Sequence, residues 1–419
     1  MSAVLVAVIF GWSLHRAVRS SDAWPGPVTG TVLWAIVGSA GWLSLLALFG
    51  IEWRPWLVPL PLVVAVALTL HRRSVVASSR PHIDGWLLLT VGAVAPRVLA
   101  VALTPAYGWD FRYLWGLKAE AFAAAGGIDL TWLSWRPLAR LHPSYPPLWP
   151  ELLAAGRLLG ADLATTAAAW SALLAVGLAA AGWDLARGLS RPWRTVTAVS
   201  MAWTPVLFRP EYSGYAEPLL AFLLTLALGS LALASRADSA ALVTLAVAAP
   251  VLALTKNEGV VLALGCVAAA LARWRLRALP AMIATLATVA LWRLVVVLND
   301  LPHPGAVTNP EALAARAATL PAAIAAALTP TLAWLFVAWL LLVPTLLDRG
   351  MRTPAAVLLL WMASVVTAYL TTPWGLAWHL TWSVDRVAAV AFPAALAVAL
   401  PTALRLRAAP PAPDSAPGG

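Results

Sequence analysis

The chain is poor in charge: Asp, Glu, Lys and Arg make up only 11% of its 419 residues, where soluble domains carry about a quarter. With 61% of residues hydrophobic, that scarcity excludes a disordered segment, a nucleic-acid-binding module and a secreted disulfide scaffold, none of which carries so much apolar surface. Cysteine is almost absent. Cys266 stands alone in an apolar run, so no intramolecular bridge forms and the redox compartment stays open. Lysine is nearly missing too: of 28 cations only Lys118 and Lys256 are lysines.

Long apolar runs are abundant, and a bilayer crossing takes roughly 20 such residues. The sequence predicts an all-α polytopic membrane protein with spans at 30–50, 84–103, 163–185, 216–234, 239–255, 278–297, 329–346, 354–371 and 386–404. Shorter or proline-broken runs at 2–14, 56–70, 195–208 and 259–272 bring the expectation to about 13 helices. The first run lacks a basic start and a small-residue cleavage site, so no cleavable signal peptide is expected. The proline-rich end from Ala408 to Gly419 reads as a disordered cytoplasmic tail.

Arginine distribution predicts orientation, because Lys and Arg are retained in short cytoplasmic loops. The alternating spans put 16 of the 28 basic residues on one face and 10 on the other, with Arg97 and Arg293 inside spans. The acids divide the opposite way, 6 against 12. The net charge of +10 is therefore a topology signal, and nucleic acid is not expected as a partner. The scheme requires 104–162 to begin and end outside, so Leu148–Leu159, about 18 Å of helix, must lie in the interface rather than cross.

Chemistry concentrates in that first outer loop. It carries Asp110, Arg112, Lys118, Glu120, Asp129, Arg136, Arg140 and His142 among Trp109, Trp115, Trp132, Trp135 and Trp149. Carboxylates, cations and aromatics together suit a base, an anion site and a sugar-stacking surface; they also suit an ordinary amphipathic cap with interfacial tryptophans. Three other outer segments join it: RPEYSGYAEP with Glu211 and Glu217, TKNEG with Lys256 and Glu258, and WGLAWHLTWSVDR with His379, Asp385 and Arg386. Glu217 starts a span, where a carboxylate is costly unless paired. Lys256 suits a phosphate or a simple pair with Glu258, and Arg386 suits a lipid phosphate or a pair with Asp385 that ends the span. Arg97 reads as snorkelling or paired with Asp110 or Asp385.

GWDFRYLWGLKAEAF, HPSYPPLWP, GYAEPLLAFLLTLAL, KNEGVVLAL and WHLTWSVDR, in that order, resemble bacterial glycosyltransferases of the GT-C superfamily, nearest the protein-mannosyltransferase-like group. The resemblance covers 84–404, leaving 1–83 as an added amino-terminal transmembrane block and 405–419 as the tail. It implies a fold of many transmembrane helices with a large first extracytoplasmic loop, working in the bacterial plasma membrane. The implied reaction transfers a sugar, with inversion, from a polyprenyl-phosphate donor to a cell-envelope glycan, lipid or protein. Asp110 matches the acidic residue at the start of that loop and is the expected base, with Lys256, Arg386 and His379 as cations for the leaving phosphate.

Glu120, His142, Tyr145, Glu217, Glu258 and Asp385 complete the expected substrate-binding set. The chain departs from the mannosyltransferase pattern at Phe111, which stands where a second acid is common; Glu120 or Glu217 is the alternative source. His142 suits substrate contact, capping of the interfacial helix or, as the lesser alternative, a divalent ion; no cofactor is expected. A transporter or flippase using Arg97 and Arg293, and a catalytically inactive relative serving in an assembly, remain the competing readings.

Overall fold

The computed structural model describes residues 2–18, 24–64, 84–204, 207–233, 239–303, 305–326, 345, 348 and 351–408. All secondary structure among them is helical. The chain begins with α1 (Ser2–Val18), α2 (Pro27–Leu48) and α3 (Gly85–Leu103). Their starts follow local chemistry: proline occupies the first turn of α2, and the Asp84 carboxylate accepts the Leu87 N–H at 2.9 Å to cap α3.

The segment 104–162 is a layer of short elements. It holds a π-helical turn at Phe111–Trp115, α4 (Gly116–Ala125), a single turn at Leu130–Leu133, a 3-10 turn at Arg136–Leu141 and α5 (Leu148–Leu158). The 11 residues of α5 extend about 16 Å, too short to cross a bilayer core.

The remaining helices are α6 (Leu163–Leu185), α7 (Arg191–Ala202), α8 (Glu217–Leu233), α9 (Ser239–Ala253), α10 (Asn257–Trp274), α11 (Leu279–Leu298), α12 (Pro310–Ala326), α13 (Arg352–Thr371), α14 (Leu376–Ala389) and α15 (Ala391–Ala408). Six candidate spans among the described residues are long and apolar enough to cross a membrane: Pro27–Leu48, Gly85–Leu103, Leu163–Leu185, Asn257–Leu298, Arg352–Thr371 and Leu376–Leu400. The apolar helices α8 and α9 are shorter. The expected span at 329–346, except residue 345, and residues 65–70 of the one at 56–70 fall outside the described residues.

Helix α8 is the centre of the bundle. Every residue from Glu217 to Ala232 is buried, and α6, α9, α10 and α15 pack around it. A helix apolar on all sides belongs in such a position. The amino-terminal helices are docked by buried polar bonds. Trp24 donates to Ser230 Oγ at 3.0 Å, Thr29 to Asp184 at 2.9 Å, and Ser44 to both oxygens of Glu151 at 2.9 and 2.8 Å. Burial pushes the Glu151 carboxyl up to about 8, with the Ser44 hydroxyl pulling the other way.

Two segments differ from expectation. Residues 376–389, expected in a connection before a span beginning at 386, form α14 and run through Val390 into α15, because no proline or glycine interrupts them after Gly375. Helix α12 was not expected at all. Asn309 starts it by accepting the Glu311 N–H at 2.9 Å, and Arg316 on it donates to the carbonyls of Leu370 and Trp374 at 3.1 and 3.3 Å and to that of Thr372. Those carbonyls close α13, so Arg316 fixes the turn from which α14 departs.

Candidate active site

Helix ends gather the charges. Asp110 stands at the entry to the π-helical turn, Glu217 begins α8, Lys256 caps α10, Glu258 lies in its first turn, and Arg386 lies in the last turn of α14. They form one knot. Arg386 Nη1 donates to Asp110 Oδ2 at 2.5 Å and to Glu217 Oε1 at 2.9 Å. Lys256 Nζ donates to the same Glu217 oxygen at 3.1 Å and lies 3.5 Å from Glu258 Oε1. The Glu217 and Lys256 side chains are only 3% and 6% exposed, so neither charge relies on bulk water and each needs the other.

The knot leaves polar atoms unused. Glu217 Oε2, Asn257 Oδ1, Glu258 Oε2, His379 Nδ1 and Arg386 Nε are buried with no hydrogen-bond partner among the described residues. Such orphans are rare in folded proteins and mark the places where a ligand or water belongs. Three of the five are acceptor oxygens and one is a ring nitrogen able to accept, so water or another donor-rich group would complete them. Formally the three carboxylates outweigh the two cations. An anion entering the knot therefore competes with Asp110 or Glu217 for Arg386.

Tyr215 links parts of the knot. Its hydroxyl accepts the Asp110 N–H at 3.0 Å, and its ring lies 4.7 Å from Arg386 Cζ, within cation–π range. Burial, and after it the Asp110 charge, raises its phenol to about 12, so it stays protonated at physiological pH. Next to the knot lies the HPSY segment. His142 takes a left-handed backbone with φ 48°, its ring stacks on Tyr145 at 4.5 Å, and its carbonyl accepts Lys118 Nζ at 2.6 Å. Burial, then the charges of Lys118, Lys256, His379 and Arg386, push the His142 imidazole down to about 3. It is neutral and does not cap α5, whose first turn has no side-chain cap.

The two lysines differ. Lys118 is 2% exposed, with the rings of Trp115 and Tyr145 at 5.7 and 5.8 Å; burial lowers its ammonium to about 7. Burial pulls Lys256 down too, but Glu217 and Glu258 outweigh it and hold Lys256 above the usual lysine range.

Of the ten expected site residues, the structure brings Asp110, Glu217, Lys256, Glu258 and Arg386 into direct contact. His142, Tyr145 and His379 border them, close enough for their charges to interact with those of Lys256 and Arg386. Asp385 is buried beside Arg386 in sequence, but Arg386 pairs with Asp110 and Glu217 instead of with it. Glu120 lies apart. It pairs with Arg157 at 3.0 Å with both side chains 48% exposed, in an open cleft with Leu117, Ala121, Asp129 and Trp132.

Arg97 pairs with neither Asp110 nor Asp385; its guanidinium carbon lies 5.5 and 5.8 Å from the ring centres of Trp203 and Phe208. Tyr215 and Asn257 join the site without having been singled out for it. The unusual YSGY spacing before Glu217 is the only trace of the first. Among the described residues no group of three or more His, Cys, Asp or Glu is arranged to hold a metal ion. Compared with known proteins, the chain matches no family model, no curated protein and no solved structure.

Proposed function

We propose that this protein is a membrane glycosyltransferase that moves a sugar from a polyprenyl-phosphate donor to a cell-envelope acceptor on the extracytoplasmic face. The reading takes the whole chain to cross the plasma membrane about 13 times, with 104–162 and the charged knot outside. The observation that carries it is the knot itself: two cations, Arg386 and Lys256, sharing the buried acid Glu217, with Asp110 also on Arg386, beside polar atoms that want a hydroxyl-rich partner.

In this mechanism the donor's phosphate draws Arg386 away from Asp110, with Lys256 as the second cation. Asp110, released, takes the proton of the acceptor hydroxyl as its oxygen forms a bond to the anomeric carbon from the face opposite the phosphate. The bond from that carbon to the phosphate oxygen breaks, and its electron pair leaves with the polyprenyl phosphate. Arg386 and Lys256 stabilise that developing charge. His142, neutral, and Tyr145 border the sugar. The likeness to GT-C glycosyltransferases in motif order supports the same assignment.

A lipid-linked sugar flippase is the second reading, favoured by Arg97, which has no carboxylate partner among the described residues and lies on an otherwise apolar helix. The test is incubation of purified protein and envelope extract with radiolabelled polyprenyl-phosphate sugars, comparing wild type with Asp110→Asn. Label transferred by wild type and not by the folded variant is the expected result. Full transfer by Asp110→Asn would remove the base; movement of the lipid across proteoliposomes without transfer would favour the flippase.

A further inference from the structure

We propose that Tyr215 is a positioning residue that sets the base and the phosphate cation against each other with the two ends of one side chain. The inference rests on the glycosyltransferase reading. The hydroxyl holds the Asp110 N–H at 3.0 Å and the ring carries the Arg386 guanidinium at 4.7 Å. Asp110 opens a helical turn, where the first N–H groups have no carbonyl one turn back. Without the phenol, the backbone of the proposed base loses this partner.

The surrounding chain is built to hold Tyr215 in place. Tyr107 N–H donates to Ser213 Oγ at 2.9 Å, and the Trp149 indole donates to the Gly214 carbonyl at 2.9 Å. Gly214 turns the segment with φ +82°, a conformation that favours glycine. Gly108 makes room on the other side: a Cβ there would lie 2.5 Å from the Tyr215 ring and 2.9 Å from the Glu211 and Ser213 carbonyls. Residues 107–110 and 213–215 are thus clasped at two hydrogen bonds and one close contact, and Tyr215, 5% exposed, reaches both charged partners from that clasp. Asp110 and Arg386 are 276 positions apart in the chain. Tyr215 touches both.

The two ends of the side chain act on different constants. Tyr215→Phe keeps the ring under Arg386 and removes the hydroxyl, so kcat for sugar transfer falls about tenfold while the donor KM holds. Tyr215→Leu removes the ring as well, so the donor KM also rises, by about threefold or more. A purely structural role would lower the yield of folded protein and leave both constants of the folded fraction at wild-type values. The experiment is steady-state transfer from a polyprenyl-phosphate sugar by wild type and both variants, normalised to folded protein. An unchanged kcat in Tyr215→Phe, or a Tyr215→Leu variant kinetically identical to Tyr215→Phe, overturns the assignment while leaving the enzyme reading in place. A wild type that transfers from no such donor overturns the reading and this inference with it.

Discussion

The two lysines of this chain are buried to nearly the same degree, 2% exposed for Lys118 and 5% for Lys256, yet their surroundings oppose each other. Lys256 sits between Glu217 and Glu258, whereas Lys118 has two aromatic rings and one carbonyl. Depth alone does not decide whether a cation stays charged; the count of carboxylates does. The first arrangement holds a permanent charge where an anion can use it. The second holds a turn, since the carbonyl it grips belongs to His142, whose ring stacks on Tyr145.

The largest effect in this comparison is expected from Lys256→Met. It removes a cation from the buried Glu217 and the partly exposed Glu258, and breaking a buried pair costs about 3 to 5 kcal/mol. A drop in thermal midpoint of the detergent-solubilised protein checks it; a midpoint equal to wild type would show that the acids are hydrated and the knot open. In the folded fraction the donor concentration for half-maximal rate should rise, and an unchanged donor dependence would remove Lys256 from the phosphate site.

Lys118→Met is expected to have a smaller effect, read in the pH dependence of stability. A lysine at about 7 in the folded protein and 10.5 unfolded binds its proton more weakly when folded. Between those two values the unfolded chain is protonated and the folded one is not, so stability rises with pH across that window and is lowest below 7. Replacing Lys118 by methionine removes this slope, and with it the bond to the His142 carbonyl. Chemical denaturation at pH 7 and 9.5 reads it out, and a wild type with no slope would place a carboxylate or water at Lys118.

The smallest effect is expected from Glu120→Gln. Its pair with Arg157 is half exposed and contributes about 0.5 kcal/mol or less; transfer should continue at the wild-type rate. A large loss of transfer would return Glu120 to the site from which the geometry separates it.

Much of the helical frame was legible because run length decides it: 163–185 was expected and Leu163–Leu185 is found, with α3 and α13 within two residues at either end. Helix α5, expected at 148–159 and found at Leu148–Leu158, was legible for the same reason, being too short to cross. Helix α12 was not, because its alanines carry Glu311 and Arg316 and hydropathy falls below that of a span. In α14, His379, Ser383, Asp385 and Arg386 dilute the apolar signal in the same way.

Site chemistry was partly legible, since in a chain with so few charges an acid at a span's first residue, such as Glu217, stands out. Pairing was not. Arg386 has Asp385 as its neighbour yet reaches Asp110 and Glu217, 276 and 169 positions away, and no local spacing encodes such a contact. Tyr215 was missed because a buried tyrosine next to an apolar helix has the sequence signature of packing.

If Arg386 serves both Asp110 and the donor's phosphate, the acid and the anion compete for it. Binding of polyprenyl phosphate to wild type, Asp110→Asn and Arg386→Gln tests it without requiring turnover. Tighter binding than wild type is expected in Asp110→Asn, where Arg386 is released from one acid, and weaker binding in Arg386→Gln. Equal or weaker binding in folded Asp110→Asn would contradict it.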